Sequence, residues 1–182
     1  MKINGLNRTK IVICCFVFAT YPLRMTDALS PSLTADFLLV ESRERGEVLT
    51  NLKLQKLLYY ADGWFAVVSG RPLFAEDFEA WMNGPVLPSQ YHRFKDWRWR
   101  PIEQEVVRPT GLSADILAHL EEVVDVFGSE TAVALELMTH REQPWLEARA
   151  GLPADAPSSA IISKQTMKAY FQSLDADEKV EA

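Results

Sequence analysis

The stretch from Thr50 to Ser69 constrains this chain more than any other part of it. Leu54, Leu57, Leu58, Ala61, Phe65 and Val68 recur at intervals of three and four residues, which is one apolar stripe of an α-helix. Tyr59, Tyr60, Trp64 and Val67 supply a second apolar face. A helix that is apolar around most of its circumference has to be packed on several sides. The chain is therefore expected to fold around this helix, with other elements laid against it. Thr50 offers a hydroxyl for the N-cap, and Gly70 followed by Arg71-Pro72 ends the pattern. Burial of Leu54, Leu57, Leu58 and Phe65 contributes roughly 1.5–3 kcal/mol each. A chain of 182 residues buries enough surface to need neither disulfide nor metal.

The surrounding sequence supplies the partners. Ser30-Pro31-Ser32 opens a helix bearing Leu33, Phe37, Leu38 and Val40, which stops at Gly46. Phe78–Met82 alternates in character and predicts a short strand, and Asn83-Gly84-Pro85 a tight turn. Because Pro85 lacks an amide donor, any sheet here is small or at an edge. Pro88 begins a short helix over Ser89–Lys95, and Ile102–Val107 reads as another extended segment. Ser113 caps a helix with the stripe Ile116, Leu117, Leu120, Val123, Val124 and Phe127. Beyond Gly128-Ser129 lie a helix with Ala132, Leu135 and Leu137, and a short one from Pro144 to Arg149. After a Pro/Ala/Ser-rich loop, Ser163 caps a last helix with Met167, Tyr170, Phe171 and Leu174 inward. The fold class is mainly α: one compact helical domain over 25–174, with a short β-hairpin or small sheet between helices. The acidic tail 175–182 reads as disordered.

Charge narrows the function classes. The formal net charge is −6. Residues 1–24 hold four basic groups and no acid, so the rest carries 15 Lys+Arg against 25 Asp+Glu, or −10. Such a body repels phosphate backbones, so no nucleic-acid partner is expected. Cys14 and Cys15 are adjacent and form neither a staple nor a zinc spacing, and the cysteine-free remainder fits the cytoplasm. Ile11–Ala19 is an apolar run behind basic residues, too short to span a bilayer and without a clean cleavage site. Residues 1–24 read as an upstream extension before a true start at Met25, with a signal-like or membrane-associated segment and a structural arm as the alternatives. No membrane partner is expected of the body.

Three separated pieces together carry a family resemblance. The first is TNLKLQKLLYYA at Thr50–Ala61, leading to Gly70-Arg71-Pro72-Leu73-Phe74. The second is Phe78–Val86 (FEAWMNGPV) with Tyr91, and the third is Leu137–His140 with Pro144-Trp145 and the late helix ending in Tyr170-Phe171. In this order and spacing they resemble the Panacea-domain antitoxins of the SocA-like type, over about residues 33–174. The resemblance implies a mostly helical domain that neutralises a cognate toxin by direct contact. It further implies an adaptor that presents the toxin to the ClpXP protease, with simple steric masking as the alternative. It implies no catalytic residue and no cofactor, so the chain is not expected to be an enzyme.

The candidate chemistry is sparse. His92, His119 and His140 are the three histidines, and nothing at short spacing supports a metal site or a triad. His119 falls on the polar side of its helix and reads as a surface residue. His140, before Pro144, reads as ordering a helix end. Gly63 inside the long helix costs about 1 kcal/mol relative to alanine. Its use is the close approach of another element, expected to be the Trp81–Val86 segment, or else a notch for a partner. The partner-binding candidates are Trp81, Asn83, Gly84 and Tyr91 around the predicted turn, and the alternating Trp97, Arg98, Trp99 and Arg100. Loops on rigid scaffolds often carry function, and Trp and Arg are enriched in interface hot spots. The turn reads equally as local structure. The alternative places one tryptophan in the core, with both arginines solvated. Stacking on nucleic-acid bases is the third reading, which the acidity opposes.

Overall fold

The computed structural model describes residues 28–181, and the extension, signal-like segment or arm expected of residues 1–24 therefore lies outside the described residues. Seven helices and one hairpin follow in chain order: α1 (Pro31–Glu44), α2 (Asn51–Ser69), β1 (Glu79–Trp81), β2 (Gly84–Val86), α3 (Pro88–Phe94), α4 (Ala114–Phe127), α5 (Ala132–Thr139), α6 (Gln143–Arg149) and α7 (Lys164–Glu181). A single 3-10 turn, Lys95–Trp97, follows α3.

The expectation for α2 is met. Its first turn is capped by Thr50, whose Oγ1 accepts from the Lys53 amide at 3.2 Å. Every residue but one from Asn51 to Ala66 is buried. Helices α1, α3, α4, α5 and α7 and strand β2 all pack against it. From Asn51 to Ala66 a helix enclosed in this way has almost no solvent-facing side, which is why its apolar residues lie all round.

Gly63 is where α2 is approached most closely, and the element that does so differs from the expected one. It is α7: a Cβ at Gly63 would lie 2.3 Å from Cε2 of Phe171. Phe171 is fully buried, with Tyr59, Trp64 and Tyr60 around it at ring distances of 5.6, 5.2 and 6.2 Å. The absent side chain leaves room for this ring. The hairpin meets α2 nearer its start, at Gln55 and Lys56.

Two polar groups fasten the helices around α2. Asp62 is buried, and its Oδ1 accepts from the amides of Leu73 and Phe74 at 2.6 and 3.1 Å. Its Oδ2 accepts from Lys164 Nζ at 3.0 Å, which ties α7 to the helix and to the loop behind it. Burial raises the Asp62 carboxyl above its ordinary range, against the attraction of Lys164. His119 is the second group. It is buried rather than on the surface, and its Nε2 donates to the Ala61 carbonyl across 2.8 Å. That bond depends on the approach of α4 to α2, which the periodicity of α4 alone does not reveal. Burial pushes the His119 imidazole below its ordinary pKa.

The strands are as small as Pro85 requires. β1 and β2 pair antiparallel with Glu79 opposite Val86, Ala80 opposite Pro85, and Trp81 opposite Gly84. On its other edge β1 meets the segment at Ile161, where Ala80 donates to Ala160 O and Ile162 donates to Phe78 O, both at 2.8 Å. The extended strand expected at Ile102–Val107 does not form. The Arg43 guanidinium holds the Ile102 and Gln104 carbonyls at 2.8 Å each, and among the described residues the only ladder contact is an isolated bridge between Thr50 and Pro101. With no strand alongside it, the segment stays irregular. α7 continues through Asp175 to Glu181, where a disordered tail is expected from composition. Among the described residues no helix is long and apolar enough to cross a membrane.

Candidate partner-binding site

The hairpin is held in place by polar side chains that α2 contributes from inside its own buried surface. Asn51, Gln55 and Lys56 are 3, 1 and 0 % exposed, so each must find a protein partner. Gln55 Oε1 accepts from the Leu87 amide at 2.9 Å, just beyond β2, and its amide donates to Asn51 Oδ1 at 2.9 Å. Asn51 Nδ2 donates in turn to the Tyr91 carbonyl in α3 at 3.1 Å. Lys56 Nζ donates to the Pro85 carbonyl at 3.0 Å. These residues are components of the site that the sequence reading passed over. The available signal was three polar residues at i, i+4 and i+5 in a helix that is otherwise apolar.

Gly84 completes the clamp. Its φ is 93°, a conformation that disfavours any side chain, and a Cβ would lie 2.7 Å from both Lys56 Nζ and Thr139 Oγ1. The hairpin is thereby pressed against α2 and α5 together. Lys56 pushes into a fully buried position, and burial brings its ammonium down to about 7, opposed by the charges of Glu136 and Glu142. Glu142, at the start of α6, is pushed up to about 7 by burial, opposed by hydrogen bonding from Tyr60, whose hydroxyl donates to Oε1 at 2.9 Å.

The corner between α5 and α6 holds the other end of the hairpin. His140 ends α5 and stacks on Trp145 with ring centroids 4.3 Å apart. Trp145 Nε1 donates to the Trp81 carbonyl at 2.9 Å. His140 thus joins the end of α5 to α6 through its ring. Burial lowers its pKa, partly offset by the Glu136 charge.

The predicted site residues then fall into two groups. Trp81, Asn83, Gly84 and Tyr91 form one face: the Trp81 and Tyr91 rings meet edge to face at 4.7 Å, and His92 packs on Tyr91 at 5.5 Å. Trp81 and Tyr91 are half-buried, Asn83 and neighbouring Met82 are exposed, and Gly84 is buried beneath them. Trp97, Arg98, Trp99 and Arg100 form a separate turn after α3. Trp97 is half-buried and packed against the core, Arg98 and Arg100 are exposed, and Trp99 is 77 % exposed. The two groups adjoin at the start of α2, where Asn51 bonds Tyr91 and Thr50 pairs with Pro101.

This arrangement offers contact rather than chemistry. Lys56 and Glu142 are both buried, Lys56 beneath the hairpin and Glu142 at the start of α6 against Tyr60. Two small cavities, between Trp64, His119 and Phe127 and between Asp62, Lys164 and Met167, lie elsewhere along α2. Among the described residues no three histidine, cysteine or carboxylate side chains cluster as metal ligands would.

The family described as "Antitoxin SocA-like, Panacea domain" matches residues 54–146, which run from α2 through the hairpin to α6. Antitoxin SocA of Caulobacter vibrioides (strain NA1000 / CB15N) is 36 % identical over 109 residues, covering 53 % of this chain and 58 % of its own length. The chain thus spans a little over half the length of that relative. No solved structure matches the chain. The matched region holds the buried helix, the clamped hairpin and the His140–Trp145 corner in a single unit, and by it the chain belongs to the SocA-like antitoxin family with its Panacea domain, a family of antitoxins and not of enzymes.

Proposed function

We propose that this protein is an antitoxin that binds a cognate toxin protein and promotes its degradation as an adaptor for the ClpXP protease. The observation that carries this reading is the family match over residues 54–146, together with a similar protein that is itself named an antitoxin. The surface described above supports it. An aromatic face lies beside an exposed tryptophan–arginine turn, and both rest on a rigid helical scaffold of the kind that hosts binding residues. Adaptor action needs no chemistry in the adaptor: holding a substrate at the protease raises its effective concentration at the entry pore. The site of action is the cytoplasm, and the acidity of the chain supports a protein partner over nucleic acid or an anionic membrane.

Reconstituted proteolysis tests the reading. The protein encoded by the neighbouring reading frame is incubated with ClpXP and ATP, with and without this chain. Turnover that rises on addition supports the adaptor. Turnover that stays unchanged while the two proteins still bind removes the adaptor step and leaves an antitoxin that masks its toxin. Absence of any binding removes the antitoxin reading with that protein.

A further inference from the structure

The turn Trp97–Arg100 has a backbone that its own sequence makes unfavourable. The Arg100 amide donates to the Trp97 carbonyl at 2.9 Å, closing a four-residue turn. Arg98, the first central residue, has φ 53° and ψ −116°. These are the angles of a type II′ turn, whose first central position belongs to glycine because a side chain is strained there. An arginine is held there nonetheless. Its neighbour Trp99 is 77 % exposed, and the Arg100 guanidinium lies over the Trp97 ring at 5.7 Å.

The charge around this turn is equally local. Residues 91–100 hold Arg93, Lys95, Arg98 and Arg100 against Asp96, or +3. The remainder of the chain then has 15 basic and 24 acidic residues, or −9. Arg93 is committed to Asp36 at 2.6 Å. Among the described residues none of Lys95, Arg98 and Arg100 has a carboxylate partner. A basic turn on an acidic protein directs an approaching partner to one spot.

We propose that this turn is the anchor for an acidic protein surface, in which Trp99 enters an apolar pocket and Arg98 and Arg100 pair with carboxylates on its rim. The proposal rests on the antitoxin reading and identifies the chemistry of the toxin face that the chain recognises. Exposed tryptophan and arginine are the residue types that dominate interface energetics. Nucleic acid fits less well, because a net −9 around the turn repels a phosphate backbone running past it.

The test uses the full chain and the protein encoded by the neighbouring reading frame, with binding followed by calorimetry and stability by urea unfolding. Arg98→Gly should raise the unfolding midpoint, because glycine takes this backbone without strain, and should weaken binding by about tenfold or more. Trp99→Ala should weaken binding by about thirtyfold or more with its unfolding midpoint unchanged. Raising the ionic strength from about 0.1 M to about 1 M shortens the screening length from about 10 to about 3 Å, and should weaken the parent more than Arg98→Gly. Parental binding retained by both variants would overturn the proposal while leaving the antitoxin reading intact. A less stable Arg98→Gly chain would remove the strain on which it rests, and displacement of the partner by a single-stranded oligonucleotide would replace it with nucleic-acid binding. If the parent chain does not bind that protein at all, the antitoxin reading fails first and this proposal with it.

Discussion

Replacing Gly63 by alanine tests the packing of α7 on α2 with a change of sign. In an isolated helix the substitution is favourable by about 1 kcal/mol. Here the new Cβ would sit 2.3, 2.5 and 2.6 Å from Cε2, Cδ2 and Cζ of Phe171, distances no neighbour tolerates. The ring cannot simply turn aside, because Tyr59, Tyr60, Trp64 and Tyr170 enclose it. Overpacking of this kind costs about 1–3 kcal/mol, and expelling the ring altogether costs about as much as its loss, about 3–5 kcal/mol. Set against the helix gain, Gly63→Ala is expected to destabilise the chain by up to about 2 kcal/mol if the ring is crowded in place and by about 2–4 kcal/mol if it is expelled, read as a lower urea midpoint at unchanged slope. The decisive comparison is the same substitution in a Phe171→Ala background. There the obstruction is gone, and Gly63→Ala should stabilise by about 1 kcal/mol. The two residues are thus expected to couple in a double-mutant cycle by the steric cost itself, about 1–3 kcal/mol for a crowded ring and about 3–5 kcal/mol for an expelled one, since the helix gain cancels. A stabilising effect in the parent, or an equal effect in both backgrounds, would refute the account.

Three further outcomes follow from the site and its supports. Gly84→Ala forces a side chain onto a φ of 93° and to within 2.7 Å of Lys56 Nζ and Thr139 Oγ1, so it should cost about 2–4 kcal/mol and speed amide exchange in the hairpin before the rest of the fold. Lys56 titrates at about 7 in the folded chain against 10.5 when free, so between those values the unfolded chain binds more protons and stability rises with pH, by at most about 1.4 kcal/mol per unit. Glu142 has the opposite effect below it: raised from 4.5 to about 7, it makes the folded chain bind more protons there, and stability falls as pH rises through that interval. Lys56→Met should flatten the upper limb of an unfolding-against-pH curve and Glu142→Gln the lower one; curves identical to the parent would contradict the buried placement of either group. Asp62→Ala leaves the amides of Leu73 and Phe74 without acceptors and should cost about 2–4 kcal/mol, whereas Asp62→Asn keeps an oxygen for them and should cost clearly less by the same urea measurement.

Local sequence was enough for the elements and for the centre of the fold. Helix boundaries followed from Thr50, Ser113 and Pro144, because caps and prolines act within one turn of chain. The all-round apolar character of α2 identified it as the enclosed helix, since periodicity reports how many sides are covered. It does not report which element covers each side. That is why Gly63 faces Phe171 and not the hairpin, and why His119 is buried on Ala61. Both are matters of approach between segments distant in sequence.

The site divides in the same way. Its exposed members, from Trp81 to Arg100, were readable as aromatic and basic residues around turn signals. The strain at Arg98 was not, because a backbone angle with no glycine to mark it leaves no trace in composition. Nor were the roles of Asn51, Gln55 and Lys56, whose polar atoms are satisfied by backbone groups of β2, the residue after it, and α3. Sequence alone determined that this chain builds a helical domain around α2 and carries the marks of its family. Only the tertiary structure decided how the hairpin is clamped and which residues stand free, because hydrogen-bond pairing and steric fit exist only once distant segments have met.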